Sequence, residues 1–371
     1  FWLKPFWPKT AHEGPFRISA SQSRRLTCTP LQAMMMPGPV VPLAGGDAFH
    51  YQGPGDQMSK CVLLGAYIFM IVANAVSALS GGSGSTIGDV SDAFPTYITP
   101  DGTTFAIWGV IYLMWLVFVV AQFGIGVCPC FDGSWMYMGN GIRYLISVAF
   151  ALNGVWLPLY TMKLFWAALI VIAAYLVVLV VCIVAVNGRT VVRPGFPCSG
   201  IIQYVCFAAP ITLNAAWLVV ATAANFFTVF GQLGWKDVYG VAGSPQAAML
   251  VVLLATSLAI AVAIGAYDAA WPLATAWALL GLYRMHSPPG DGELGFPDEA
   301  MNSMLASSAL CGSIVSFLAA WAGGILMAFA LSGCCFFAGS QHYPGPGCEI
   351  PTAAPYSHPM ASSMYRPGPI F

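Results

Sequence analysis

Residues 164–187, LFWAALIVIAAYLVVLVVCIVAVN, contain no Asp, Glu, Lys or Arg. An α-helix needs about 20 apolar residues to cross the hydrocarbon core of a bilayer. Inside that core every backbone N–H and C=O must be bonded within the segment, so a lone stretch of this kind has to be helical. Similar runs fall at about 60–79, 103–125, 142–160, 200–230, 246–265, 271–284 and 304–331, which predicts eight spans. Only 7% of the 371 residues are charged, 58% are hydrophobic, and the mean hydropathy is +0.75. A soluble globular chain carries roughly 25% charged residues. The expected class is an all-α integral membrane protein.

Residues 1–58 and 333–371 break the pattern. They are rich in Pro and Gly, as in MMMPGPVVPLAGG, and read as extended arms flanking helical blocks at 59–231 and 232–332. Such segments stay unordered unless something holds them. Their aromatic and Met residues, among them Trp2, Trp7, Met34 and Tyr356, fit contacts with neighbouring membrane-protein subunits. Residues 16–30, FRISASQSRRLTCTP, are basic and Ser-rich without an acid, a pattern similar to the tail of an organelle-targeting segment. That points to a plastid thylakoid or mitochondrial inner membrane. Eight spans put both arms on one side with every Lys and Arg except Lys163, Lys236 and Arg284. The positive-inside rule makes that side cytoplasmic or its organellar equivalent.

Other classes fall away. A net charge of −1 offers no clustered basic surface for nucleic acid. Cys128, Cys130, Cys334 and Cys335 do not have zinc-site spacing, although Cys128, Cys130 and Cys198 leave room for a loop disulfide. Asp89, Asp92 and Asp101 have no His or Lys beside them for acid–base work, and Asp101 is placed to cap the second span. Asp268 reads as a cap at a helix break or, with Trp271, as a polar notch. Histidines lie in the arms except for His286 at a span end, so a chlorophyll within the helices would need Asn, Gln, a carbonyl or water as axial ligand. No metal site is expected. Pro210 inside an over-long fifth span predicts a kink or a half-inserted segment.

The stretch 99–115, TPDGTTFAIWGVIYLMW, carries Phe105, Trp108, Tyr112 and Trp115. Steps of three, four and three residues keep them on one side of a helix. The stripe is a packing seam or the wall of a pocket for a flat, oily ligand, and Trp115 can equally face lipid. Asn74, Asn153, Asn214 and Asn225 also fall within spans. Unpaired amides in hydrocarbon are costly, so they face the bundle interior, either as interhelical glue or toward a ligand.

Residues 73–115, from ANAVSALSGG to VIYLMW, resemble the TspO/MBR family in its longer, tryptophan-rich sensory branch. The matching residues are Asn74, Ser91-Asp92, Pro95, Thr99-Pro100, Gly102, Phe105, Ile107-Trp108-Gly109 and Ile111-Tyr112-Leu113. ALNGVWLPLY, with Asn153 and Trp156, and APITLNAAWLVVATAANFF, with Pro210, Trp217, Ala221-Thr222 and Asn225, agree in order. DAAWPLATAWALLGL is a weaker echo, and the resemblance covers about 60–285. The chain departs from it at Asn214, where that branch tends to carry Tyr.

The resemblance implies a five-helix bundle, here with about three additional transmembrane helices, and a first loop folded over the bundle mouth. It implies binding of porphyrins, sterols or similar lipophiles, with no established catalytic step. The candidate ligand residues are Phe105, Trp108, Tyr112, Asn153, Trp156, Trp217 and Asn225. The candidate ligands are a tetrapyrrole (porphyrin or chlorophyll), a carotenoid or a lipid. Two functions stay open. One is a non-catalytic subunit of a larger organellar complex, photosynthetic or respiratory, held by its arms. The other is a free-standing receptor or carrier for a lipophilic small molecule.

Overall fold

The computed structural model describes residues 54–79, 87–123, 140–186, 201, 204–287 and 299–339. The apolar runs are helices: α1 (Pro54–Leu79), α3 (Ile107–Gln122), α4 (Asn140–Thr161), α5 (Phe165–Val186), α6 (Ala209–Gln232), α7 (Pro245–Gly265), α8 (Ala270–His286) and α9 (Glu299–Gly339), with a short α2 (Ile87–Ala93) in the first loop. Seven of the described helical segments are long and apolar enough to cross a membrane. The exception among the long helices is α8, whose 17 residues reach only about 26 Å at 1.5 Å per residue. It packs against α6, α7 and α9. The chain is an integral, multi-pass, all-helical membrane protein. The arms lie outside the described residues, except that α1 already begins at Pro54 and α9 runs on to Gly339. The loop cysteines Cys128, Cys130 and Cys198 also lie outside them, while Cys61, Cys182, Cys206 and Cys311 are free thiols.

Helices α1, α3, α4, α5 and α6 form one bundle, with α4 between α1 and α5, and α3 touching both α1 and α6. Close approach of α1 and α4 depends on Gly154, where a Cβ would stand 3.2 Å from the Met70 Cα. Trp115 is fully buried, edge-on to Phe150 at 4.9 Å and Phe118 at 5.3 Å. The last member of the stripe therefore packs inside the bundle and does not face lipid. The outer surfaces present Val177, Val184, Leu253 and Phe317, as expected where lipid is the solvent.

The described part of the fifth span, Tyr204–Gln232, is one continuous helical segment. A π-helical turn, Tyr204–Ala208, leads directly into α6, with Pro210 as that helix's second residue. Proline lacks the N–H for an i−4 bond, and the wider turn absorbs the mismatch in place of a half-inserted segment. At the α7–α8 break, Asp268 Oδ1 accepts the Trp271 N–H at 2.8 Å, and the Tyr204 hydroxyl accepts the N–H groups of Ala269 (2.9 Å) and Ala270 (2.8 Å). Asp268 is thus a helix cap, and burial pushes its carboxyl up from the ordinary value.

Candidate functional site

The site is built around the corner that starts α3. Asp101 Oδ1 accepts the Thr103 N–H at 2.9 Å and Oδ2 the Thr104 hydroxyl at 2.7 Å, and the Thr103 hydroxyl also donates to this carboxylate. These bonds cap a 3-10 turn, Gly102–Ala106, that runs into α3. Helix α8 then clamps the corner. Arg284 Nε lies 3.4 Å from Asp101 Oδ2, and its guanidinium carbon stands 5.5 Å from the centre of the Trp277 ring. The Trp277 indole N–H donates to the Thr104 carbonyl at 2.8 Å, and the Asp101 N–H to the Gly281 carbonyl at 3.2 Å. Gly281 is obligatory here, because any Cβ would run into the Thr104 side chain.

Burial raises the Asp101 carboxyl, but the Thr103 and Thr104 bonds and the Arg284 charge outweigh it and hold it below the usual carboxylate range. A carboxyl depressed by folding adds stability above its unfolded pKa, near 4, and loses it as pH falls through the folded value. Thermal unfolding is therefore expected to shift down on acidification below about pH 4. Asp101→Asn should flatten that shift and cost about 1 kcal/mol at pH 7. Identical acid profiles for the two proteins would contradict this.

The first loop forms a strap across the same end of the bundle. The Ala242 N–H donates to the Pro95 carbonyl at 2.9 Å and the Tyr97 N–H to the Ala242 carbonyl at 3.2 Å. The Tyr97 hydroxyl donates to Asp237 Oδ2. On the other side His286 stacks on Tyr97, with ring centres 6.2 Å apart. Its Nε2 is 3.1 Å from the Tyr97 carbonyl and its Nδ1 is 2.9 Å from Asn302 Oδ1. Residues from the α6–α7 loop, α8 and α9 thus hold the strap down.

Under the strap lies a small cavity of about 30 Å³, room for no more than a few water molecules. Phe105 and Trp108 line it from the α3 corner, Trp156 and Tyr160 from α4, and Trp217 and Asn225 from α6. Ile87, Ser91, Thr99 and Pro100 of the loop line it from the strap side. The Trp108 ring centre is 5.7 Å from that of Trp156 and 6.2 Å, edge-on, from that of Trp217. The Trp156 indole N–H donates to Asn225 Oδ1 at 3.4 Å, and Asn225 Nδ2 donates to the Ala221 carbonyl at 2.9 Å. Trp217 is 1% exposed, and its indole N–H finds no acceptor among the described residues. The lining includes no Lys, Arg, Asp, Glu, His or Cys, and the described residues offer no cluster able to hold a metal ion.

Phe105, Trp108, Trp156, Trp217 and Asn225 of the expected set line this cavity. Tyr112 lies one turn deeper, stacked on Trp108 at 5.7 Å, and its carbonyl accepts the Tyr67 hydroxyl at 3.0 Å. Asn153 is fully buried and accepts from Asn74 Nδ2 at 2.6 Å, an interhelical bond. Tyr160 was not among the expected residues, although its spacing of four from Trp156 puts both on one helix face. The loop contributors carried no periodic signal.

A family model described as TSPO-like protein matches residues 60–322, from α1 into α9. No curated protein and no solved structure gives a significant match to the chain. The matched segment spans well over half of the chain and holds the strap, the corner and the aromatic cavity together. The chain belongs to the TSPO-like family, TspO/MBR.

Proposed function

We propose that the protein binds one flat, uncharged lipophilic molecule between the indoles of Trp108, Trp156 and Trp217, as a membrane receptor or carrier. The observation that supports this most is the convergence of those indoles with Phe105 and Tyr160 on one cavity, beside which the Trp217 N–H meets no acceptor among the described residues. Aromatic faces favour a flat ring system. A buried donor left unpaired costs about 1–3 kcal/mol, which a ligand acceptor would recover.

The lining also narrows the ligand. Without a cation, a carboxylate in the cavity would go unpaired, which is costly away from water. A tetrapyrrole would be held by its faces and edges, since the lining offers no His or Cys for a central metal. An esterified tetrapyrrole or a carotenoid end ring fits these terms better than a free porphyrin diacid. Ligand pockets usually measure about 300–1,000 Å³, so admission requires the strap to lift and the indoles to turn.

The test is selectivity. In nanodiscs at pH 7, protoporphyrin IX dimethyl ester is expected to quench tryptophan fluorescence with a Kd at least about tenfold below that of the free diacid. Equal affinities, or tighter binding of the diacid, would overturn the reading.

A second role rests on sequence composition. The aromatic and Met residues of 1–58 and 333–371 support docking on neighbouring subunits of a larger organellar membrane complex, with lipid or pigment held between them. In that case the chain migrates with a large assembly on native separation in mild detergent.

A further inference from the structure

A polar tier lies one helical turn below the aromatic walls. Helix α3 runs inward from the strap, whereas α4 and α6 run out toward it. Asn153 and Asn214 therefore sit three residues deeper than Trp156 and Trp217, as Tyr112 sits four deeper than Trp108. Asn74 of α1 donates to Asn153 Oδ1 at 2.6 Å and to the Met70 carbonyl at 2.9 Å. The Asn214 amide donates to the hydroxyl of Tyr175 on α5, which also lies beside Asn153. Four helices thus each send one polar side chain to this level, and none of the four is more than 5% exposed.

These bonds leave a surplus. The Met70 carbonyl must face an amide N–H, which fixes the orientation of Asn74, and Asn153 in turn presents its oxygen to Asn74. Asn74 Oδ1 then meets no donor among the described residues, nor does Asn214 Oδ1 while its amide N–H faces the Tyr175 hydroxyl, and Asn153 Nδ2 meets no acceptor there. Amides serving only to hold helices together would be expected to satisfy one another, because buried polar groups are nearly always paired. Here two carbonyl oxygens are open, and the Trp217 N–H one turn above lacks an acceptor.

We propose that this tier is a deeper subsite that takes the hydroxyl head of the ligand whose flat body lies against Trp108, Trp156 and Trp217. The proposal rests on the aromatic site above it. A hydroxyl brings one donor for an open amide oxygen and two lone pairs that can accept from an indole or amide N–H. A carboxylate brings acceptors only: it would take the open N–H groups of Asn153 and Trp217 but leave both amide oxygens unmet and bury an uncompensated charge. An ammonium would enter a tier with no carboxylate to balance it, and burying an unpaired charge is costly.

The test compares 1-pyrenemethanol with 1-methylpyrene, corrected for partition into protein-free nanodiscs, by tryptophan quenching of the full chain. The wild type is expected to prefer the alcohol by about tenfold, one hydrogen bond's worth of affinity. Asn214→Leu and Asn74→Leu are each expected to cut that preference to about twofold while leaving the methylpyrene Kd within about twofold. An unchanged methylpyrene Kd doubles as the folding control, and the wild-type ratio needs no variant. Equal affinities in the wild type, or a preference that survives both substitutions, would overturn the subsite. If both probes bind equally and Trp108→Ala weakens both, the subsite alone fails. If neither probe binds saturably, the aromatic site fails with it.

Discussion

Trp108→Ala is expected to raise the Kd for protoporphyrin IX dimethyl ester by about ten- to a hundredfold, roughly 1.4 to 2.8 kcal/mol. Trp108 is the central wall, stacked on Tyr112 and in ring contact with both Trp156 and Trp217. Its loss removes one ligand-facing surface and lets two others lean inward. An aromatic pair contributes about 0.5–1.5 kcal/mol beyond the area it buries, and Trp108 makes several such contacts. The same change opens a void in the bundle, so part of the effect falls on stability, and large-to-small changes of this kind cost about 3–5 kcal/mol in a core. Two companions separate these effects. Trp108→Phe keeps a flat face and should hold the Kd within about threefold. Trp115→Phe lies outside the cavity lining and should lower thermal stability without changing binding. Unaltered binding by Trp108→Ala, in a tryptophan-quenching titration, would mean that the ligand sits elsewhere.

The second large effect is kinetic. Combining Trp277→Phe with Arg284→Gln removes the side-chain ties of α8 to the corner and leaves the Asp101 N–H bond to the Gly281 carbonyl. The lost terms are the Trp277 N–H bond to the Thr104 carbonyl and the Arg284–Asp101 ion pair. The hydrogen bond is worth about 0.5–1.5 kcal/mol. The ion pair, with Arg284 40% exposed, is worth about 0.2–1 kcal/mol. Together, about 0.7–2.5 kcal/mol, they predict an open population about 3- to 70-fold larger. Opening precedes both entry and exit, so association and dissociation should speed up by similar factors while Kd stays within about threefold. Stopped-flow quenching and a ligand chase measure both rates. Unchanged rates would show that the corner clamp does not gate the cavity.

Sequence and structure agree where the physics is local. An uncharged run of span length has one fold in a bilayer, so seven of the eight expected spans were legible from composition and length, while the run at 271–284 forms a helix of 17 residues that falls short of a span. The capping role of Asp101 was legible too, because capping needs only neighbouring residues. Which face of α3 carries the stripe followed from the helical period, but what that face meets did not. Trp115 and Trp108 share the face, yet one is sealed between Phe118 and Phe150 while the other borders the cavity. Arg284, the partner of Asp101, comes from α8, and no local pattern links them. His286 looked like an ordinary span end and proves to be buried against Tyr97 and Asn302. Asn153 was placed correctly inside the bundle, but only the structure shows its oxygen bonded to Asn74. Pro210 signalled an irregularity, but not that it would take the form of a π-helical turn at Tyr204–Ala208.

A single binding site beneath the strap is tested by a quenching titration of wild-type protein in nanodiscs with protoporphyrin IX dimethyl ester, alongside empty nanodiscs. Saturation at one ester per chain is expected, and Trp108→Ala shifts it to higher concentration. Quenching that rises without saturation, or follows partition into the empty discs equally for both proteins, would contradict it.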